Sequence, residues 1–258
     1  AICILLFRLS SGKRLKDLLK VFGTFRARLS TIFNNTVIWL LQRYSKTLEW
    51  DENRLSRAKL IEHAVGIWGF VDGTMRPFCR PSYTQQSFYS GFKKAYGTKF
   101  QSIVTCDGLL SSLTGPFPAP VGDWTLWECT GIADQLWKIM GRGDKALYVY
   151  GDAVYSPAFG IMGPFHGKGI TPAEEAVNVV MSGHRIVVEW GFVHIVNYWS
   201  FAAFKRGLKL HLSPVAAYYM VAVLLTNCQT CLHRRNQTSE KFRMDPPSLE
   251  EYLYLENI

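Results

Sequence analysis

Four short apolar runs, each followed by turn-forming residues, alternate with helical patterns and restrict the folds open to this chain. The runs cover Gly66–Val71, Lys99–Thr105, Leu109–Thr114 and Ala146–Tyr150. Runs of this length that stop at Gly, Pro or Asp are typical of buried strands. We expect the first strand to stop at Asp72-Gly73-Thr74 and the third at Gly115-Pro116. Cys106-Asp107-Gly108 predicts a hairpin between the second and third strands.

Helical patterns occupy the intervals around these strands. One helix is predicted over Thr125–Met140, between the third and fourth strands. A later helix begins at a capping sequence, with Thr171 as the cap, Pro172 at the first helical position and Glu174 three residues after the cap. We expect that helix to continue to about Ser200. A three-stranded meander followed by helix, strand and helix predicts an α/β domain with a mixed sheet.

The first 66 residues differ from the remainder in charge. They carry twelve Lys and Arg against five Asp and Glu, whereas residues 67–258 carry seventeen against fifteen. Two helices are predicted here, over Ser11–Leu29 and Thr31–Leu48, and Ser30-Thr31 would be the turn of a helix-turn-helix. Such a basic segment is typical of a protein that binds a nucleic-acid phosphate backbone. The alternative is that these charges form an ordinary solvated face of the helices. We therefore expect a basic helical segment over 1–66 and an α/β domain over 67–258.

Composition and length exclude several classes of protein. With 48% hydrophobic and 14% aromatic residues among 258, the chain can bury a core, which excludes a disordered protein. No apolar run reaches the roughly 18 residues of a membrane span, and the longest, Val215–Leu225, predicts a buried core helix. Six Cys at irregular spacing indicate a reducing compartment. Because the chain opens without Met, we expect that its N-terminal part is missing.

Three acidic residues are notable for their positions. Asp72 and Asp152 follow strand-like runs, the usual place for functional side chains in open α/β sheets. Glu189 interrupts an apolar helical stretch, where an acid is costly to bury unless it pairs or binds a metal. The structural alternatives are a turn at Asp72, a loop cap at Asp152 and a buried ion pair between Glu189 and Arg185. Together the three acids predict a site for Mg²⁺ or Mn²⁺, which prefer oxygen ligands.

Several segments resemble the motifs of PIF/Harbinger-type DDE transposases. In chain order they are Gly69–Pro77 with Arg80-Pro81, Tyr89–Gly91, Lys99–Ser102, Tyr150–Tyr155, Arg185–Trp190, Asn197-Tyr198, Phe201, Phe204-Lys205 and Pro246–Tyr252. The resemblance covers about Trp68 to Tyr252, and the preceding residues are similar to the helical region before that domain. The chain departs from the family where Phe92–Tyr96 lacks His, where Asp123 lacks its Arg-His neighbours, and where Gly191–His194 is rearranged.

This resemblance implies a ribonuclease H-like fold, a divalent metal and two-metal cleavage of DNA phosphodiester bonds. Residue by residue, it makes Asp72, Asp152 and Glu189 the catalytic, metal-binding triad. It also implies a nuclear location and a separate Myb-like DNA-binding partner, and a homo-oligomer is a further expectation. A domesticated, non-catalytic DNA-binding or adaptor protein is the alternative, which the departures favour and the three intact carboxylates disfavour. A nuclease that cuts without strand transfer is a third hypothesis.

Other side chains are candidates for supporting roles. Basic residues predicted to line a DNA path, with ordinary surface charge as the alternative, are Lys93, Lys94, Lys99, Lys205, Arg206 and Lys209. Cys228, Cys231 and His233 have the residue types of a zinc site, but such a site needs four ligands, so apolar packing is favoured. His166 and His194 are candidates to assist catalysis.

Overall fold

A six-stranded mixed sheet forms the centre of the computed structural model, which describes residues 1–63, 66–140, 147–155, 157–203 and 208–254. The strands are β1 (Ile67–Pro77), β2 (Tyr89–Ser90), β3 (Ala95–Thr105), β4 (Leu110–Pro118), β5 (Tyr148–Tyr150) and β6 (Ile161–Met162). Their order is β4-β3-β1-β5-β6, and β2 pairs with the start of β3. Strands β1, β3 and β4 form an antiparallel meander, and β5 and β6 run parallel to β1. This arrangement is consistent with a ribonuclease H-like fold and confirms the predicted fold class.

Two predicted strand ends are wrong. β1 continues through Asp72 because its ladder with β3 continues, from Asp72 opposite Ser102 to Pro77 opposite Gly97. β4 likewise passes Gly115-Pro116, where an irregularity in the β3–β4 register absorbs the extra residues before the pairing resumes. In both strands, pairing with a neighbour outweighs the local turn sequence.

The hairpin between β3 and β4 is confirmed. Asp107 Oδ1 accepts a hydrogen bond from the backbone N–H of Leu109, at 3.2 Å, and Gly108 has a positive φ of 84° that suits glycine. Asp107 also pairs with Arg54, with 2.7 Å between Oδ2 and Nη2. This ion pair joins the hairpin turn to the helical N-terminal segment.

Helices cover both faces of the sheet. They are α1 (Ile2–Ser10), α2 (Leu15–Phe22), α3 (Arg26–Glu49), α4 (Arg57–His63), α5 (Gln85–Phe88), α6 (Asp123–Cys129), α7 (Ile132–Met140), α8 (Pro172–Tyr198), a 3₁₀ turn (Ser200–Ala203), α9 (Val215–His233), α10 (Gln237–Phe242) and α11 (Leu249–Leu253). The predicted start of α8 is confirmed, because the Thr171 hydroxyl accepts from Glu174 N–H and the Glu174 carboxylate accepts from Thr171 N–H.

Two helix predictions need correction. The helix expected over Thr125–Met140 is two helices, α6 and α7, which separate at Gly131, where φ is +67°. The turn expected at Ser30-Thr31 is absent, because α3 runs unbroken through both residues. The break lies earlier, where α2 ends at Gly23 in the left-handed conformation.

Alternating side chains of the strands supply two hydrophobic clusters. Phe70 of β1 and Val104 of β3 belong to the larger cluster, which α8 and α9 complete. Val71 and Ile103, their neighbours in sequence, point to the opposite face and pack in a smaller cluster with α7. The sheet is therefore the middle layer between two helical layers.

The N-terminal helices contribute to the larger cluster. Phe33 of α3 contacts the rings of Phe201 and Tyr218, with centroids 5.8 and 5.1 Å away. Ser200 Oγ donates to Ser10 O at 2.8 Å and accepts from Gly12 N–H at 3.0 Å. The division at residue 66 stays a prediction, and these contacts join the two parts through one core.

Two of the described helices, α8 and α9, are long and apolar enough to cross a membrane by length and composition alone. This is weak support for a span, since the core helix of a soluble protein meets the same criteria. In α9, 72% of the most apolar window is buried inside the protein, against 28% in α8. The prediction of a buried core helix over Val215–Leu225 is therefore confirmed.

Candidate active site

The parallel pairing of β1 and β5 places Asp72 and Asp152 at the same level of the sheet. Phe70 pairs with Tyr150, and their rings lie on one face with centroids 6.5 Å apart. Asp72 and Asp152 are each two residues farther along, Asp72 within β1 and Asp152 just beyond the end of β5. Gly151 N–H donates to the β6 backbone at 2.8 Å, which keeps the chain in the sheet up to Asp152. The negative charge of Asp152 raises the pKa of Asp72, so the two acids are neighbours.

Asp72 is largely buried and has a perturbed pKa. Burial raises its pKa to about 6, the Gly73 N–H and Arg185 oppose that rise, and the negative charges of Asp152 and Asp123 add to it. Its Oδ1 accepts from Gly73 N–H at 2.7 Å, and its Oδ2 lies 3.2 Å from Arg185 Nη1. Two further negative charges beside a buried carboxylate favour the binding of a cation.

Glu189 is on α8 beside this pair but faces solvent. Its side chain is 54% exposed, so the expectation of a costly buried acid is wrong. The ion pair of the alternative forms, with Arg185 Nη2 3.3 Å from Glu189 Oε1, but it is not buried. Arg185 thus contacts Asp72 with one nitrogen and Glu189 with the other.

Asp152 has one clear local contact. Its Oδ1 accepts from the backbone N–H of Val154 at 3.0 Å, which is the loop-capping role considered as the alternative. Among the described residues, no hydrogen bond reaches its other carboxylate oxygen, so the cap leaves Asp152 able to bind another group.

A second ion pair lies on the other side of the β1 backbone from Arg185. Lys99 Nζ is 2.9 Å from Asp123 Oδ1 and donates to Val121 O at 3.0 Å. A Cβ on Gly73 would lie 1.9 Å from that same Asp123 oxygen. The Asp123 carboxylate therefore lies directly against the β1 backbone, beside Asp72.

Gln101 and Tyr155 extend this polar group into the protein. The Gln101 amide donates to Asp123 O at 3.1 Å and to Tyr155 Oη at 2.9 Å. Burial raises the pKa of Tyr155, and the charges of Asp123, Asp72 and Asp152 raise it further, so the phenol stays protonated. Sequence reasoning missed these contacts, and the one available signal was the position of Tyr155 in the Tyr150–Tyr155 motif.

The acids fit a divalent cation in part. Asp72 and Asp152 are neighbouring carboxylates, and their hard oxygen atoms are the ligands that Mg²⁺ and Mn²⁺ prefer. Glu189 is held by Arg185 and does not join them. Within the described residues, no three His, Cys, Asp or Glu side chains are arranged to hold a metal ion. Of the three predicted ligands, Asp72 and Asp152 are therefore neighbours, whereas Glu189 stands apart from them.

The residues predicted to line a DNA path do not form one group. Lys93 and Lys94 are exposed in the turn between β2 and β3, and Lys99 is largely buried against Asp123. Lys205 and Arg206 lie outside the described residues. Lys93 Nζ lies 5.2 Å from the centroid of the Phe92 ring, an ordinary surface contact.

The remaining candidates take structural positions. Cys231 is buried and Cys228 partly buried in the larger hydrophobic cluster, as apolar packing predicts. His194 lies against Tyr198, with ring centroids 5.8 Å apart, and burial lowers its pKa. His166 is exposed in the loop before α8.

A mixed sheet with Asp72 on β1 and Asp152 just after the neighbouring parallel strand β5 defines an α/β protein with acidic residues grouped beside its parallel strands. Comparison with protein families agrees, since the family described as DDE superfamily endonuclease matches residues 71–227. The chain therefore belongs to the DDE superfamily endonucleases, which implies DNA as the substrate, and members generally use divalent metals. Comparisons with curated proteins and with solved structures gave no match.

Proposed function

We propose that this chain is a divalent-metal-dependent DNA endonuclease or transposase domain, with Asp72, Asp152 and Glu189 as its metal ligands. The observation that carries this proposal is the parallel pairing of Phe70 with Tyr150, two residues before Asp72 and Asp152, together with the effect of the Asp152 charge on the pKa of Asp72. Family membership supports cleavage of DNA. Mg²⁺ or Mn²⁺ would bind here because the ligands are carboxylate oxygens.

Each residue has a distinct part in this scheme. Asp72 would be held in place by the Gly73 N–H, and Asp152 would be oriented by the Val154 N–H. Glu189 would complete the set from α8. A pair of bound divalent cations supplies activation of the attacking oxygen and stabilisation of the leaving one in an in-line displacement.

Strand nicking by the purified chain tests the proposal. Supercoiled DNA is incubated with Mg²⁺ or Mn²⁺, and the same assay is run on Asp152→Asn and on Asp134→Asn, an exposed acid on α7. We expect nicking by the wild type and by Asp134→Asn, and a loss of about 10²-fold or more in Asp152→Asn. Activity that survives in Asp152→Asn would contradict the assignment of the site.

A domesticated, non-catalytic DNA-binding or adaptor protein is the second candidate. The contact of Arg185 with both Asp72 and Glu189 favours it, because an internal cation already compensates two of the three acids. This function predicts salt-dependent DNA binding without cleavage in any metal, and no rise in melting temperature on addition of Mn²⁺.

Finer assignments rest on the resemblance in the sequence. We propose the PIF/Harbinger type within the superfamily, a nuclear location, a Myb-like DNA-binding partner and a homo-oligomeric state. Lys93, Lys94, Lys205 and Arg206 are proposed contacts to DNA, whereas Lys99, largely buried against Asp123, is not. Whether cleavage is followed by strand transfer is tested by supplying a DNA 3′-hydroxyl end and looking for joined products.

A further inference from the structure

We propose that Arg185 is a positioning residue that keeps Glu189 away from the metal ligands until it releases Asp72. This inference rests on the proposed function, since it concerns how the three acids come to share a metal. Its basis is the geometry of one guanidinium, which lies 3.2 Å from Asp72 Oδ2 through Nη1 and 3.3 Å from Glu189 Oε1 through Nη2.

The contact to Asp72 is the one that a metal ion would replace. Asp72 Oδ1 is bound by the Gly73 N–H, which belongs to the backbone of β1 and cannot move independently. Arg185 is a side chain that is 25% exposed, so it can leave Asp72 Oδ2 by rotation toward solvent. A divalent cation beside Asp72 repels the guanidinium and favours that rotation.

The contact of Arg185 with Glu189 keeps this glutamate away from Asp72 and Asp152. Arg185 and Glu189 are one helical turn apart on α8, so their pair forms locally and persists wherever the guanidinium remains near the helix. While the guanidinium bridges the two acids, it occupies the space between Glu189 and Asp72. Rotation of the guanidinium into solvent, away from the helix, breaks both contacts, and Glu189 is then free to turn toward Asp72 and Asp152 and complete the set.

A double-mutant cycle on Mn²⁺ affinity tests this coupling without DNA or catalysis. Calorimetric titration with Mn²⁺ alone is carried out on the wild type, Arg185→Gln, Glu189→Gln and the double variant. Lys241→Gln is the matched control, because Lys241 also contacts α8, through Gly183 O and the Trp190 ring, without touching an acid of the site. Circular dichroism melts establish that each variant is folded.

The expected result is an interaction between the two positions. Arg185→Gln should tighten Mn²⁺ binding about tenfold, whereas Lys241→Gln should change it by less than about twofold. Glu189→Gln should weaken binding about fivefold in the Arg185→Gln background and less than about twofold in the wild type. Arg185→Lys keeps the charge but lacks the planar guanidinium that bridges two acids, so Mn²⁺ affinity should depend on Glu189 in this variant as it does in Arg185→Gln. Arg185→Lys replaces Arg185→Gln if the latter does not fold.

The outcomes separate this inference from the proposed function. Equal losses from Glu189→Gln in both backgrounds, with Mn²⁺ still bound, would overturn the role of Arg185 and leave the metal site intact. An Mn²⁺ affinity of Arg185→Gln equal to that of the wild type would likewise overturn the role of Arg185 and leave the metal site intact. No Mn²⁺ binding by any of the folded proteins would overturn the metal site and the role of Arg185 together.

Discussion

Gly73 follows Asp72 on β1, and the carboxylate of Asp123 takes the volume that a side chain at position 73 would need. A Cβ there would lie 1.9 Å from Asp123 Oδ1. Gly73→Ala should therefore displace Asp123 from Lys99 and lower the free energy of unfolding by about 1–3 kcal/mol. Urea denaturation measures this change. A Cβ added at Gly91 would meet no described atom within 4 Å, so Gly91→Ala should change stability by less than about 0.5 kcal/mol. Equal effects of the two substitutions would contradict the packing described for Asp123.

The raised pKa of Asp72 makes stability depend on pH in a defined direction. In the folded protein the pKa is about 6, above the ordinary value of 3.8, so the folded state binds this proton more tightly than the unfolded state. Ionisation of Asp72 therefore destabilises the fold: stability is lost as the pH rises from about 4 to about 6, and the loss is complete above that range.

Asp72→Asn removes this titration. In EDTA, the free energy of unfolding of the variant relative to the wild type should increase by about 1–3 kcal/mol between pH 4 and pH 7. The measurement is urea denaturation of both proteins across that range. Parallel pH profiles would show that Asp72 titrates normally in the folded protein.

At the scale of the elements, local chemistry predicted where α8 begins. The Thr171 hydroxyl and the Glu174 carboxylate each accept an N–H hydrogen bond from the other residue, and Pro172 has no N–H to satisfy, so the start of this helix needs no information from elsewhere. The rotation of α8 against β1 was not predictable in that way. This rotation determines that Glu189 faces solvent and that Arg185 contacts Asp72, a residue 113 positions earlier in the sequence.

The same distinction explains the predictions for the sheet. The short apolar runs located β1, β3, β4 and β5, because a buried strand must be apolar. Their ends depend on pairing with neighbours, so β1 continues past Asp72 for as long as β3 lies beside it. The proximity of Asp72 and Asp152 followed from placing acids after strand-like runs. The contact of Asp123 with Gly73 left no signal except a glycine, which also suits a turn.

Two glycines within α8 allow its packing to be tested. A Cβ added at Gly183 would meet no described atom within 4 Å, whereas a Cβ on Gly191 would lie 3.1 Å from Val104 Cγ2. Gly183→Ala should stabilise the protein by about 0.5–1 kcal/mol, since alanine is the better helix former. Gly191→Ala should stabilise the protein by less than Gly183→Ala, or should destabilise it, because Val104 must shift to make room for the new Cβ. Thermal melts compare them, and an equal gain at both positions would contradict the close approach of α8 to β3.

For the whole molecule, the basic N-terminal segment has two kinds of charge that the sequence does not distinguish. Arg8 is buried with its guanidinium 4.3 Å from the Phe201 ring centroid, and Arg54 is paired with Asp107. These two residues hold the segment to the rest of the protein. Six others are exposed on α2 and α3, and four of these lie close together in the sequence: Lys16, Lys20, Arg26 and Arg28. Only exposed charges can meet a phosphate backbone, so the surface available to DNA is smaller than the net charge suggests.

Replacing Lys16, Lys20, Arg26 and Arg28 by Gln tests whether this surface binds DNA. Each phosphate contact adds about 0.9 to the slope of log affinity against log salt concentration. If these side chains neutralise phosphates, the slope should fall by about 2–4 in the quadruple variant. Fluorescence anisotropy with duplex DNA at several salt concentrations measures the slope. The Lys93→Gln, Lys94→Gln variant tests the turn between β2 and β3 in the same way. A slope that falls only in that second variant would move the DNA surface from the N-terminal helices to the turn. A smaller salt-dependence slope in the quadruple variant would instead place the DNA backbone on α2 and α3, which share a hydrophobic core with α9 and the 3₁₀ turn after α8.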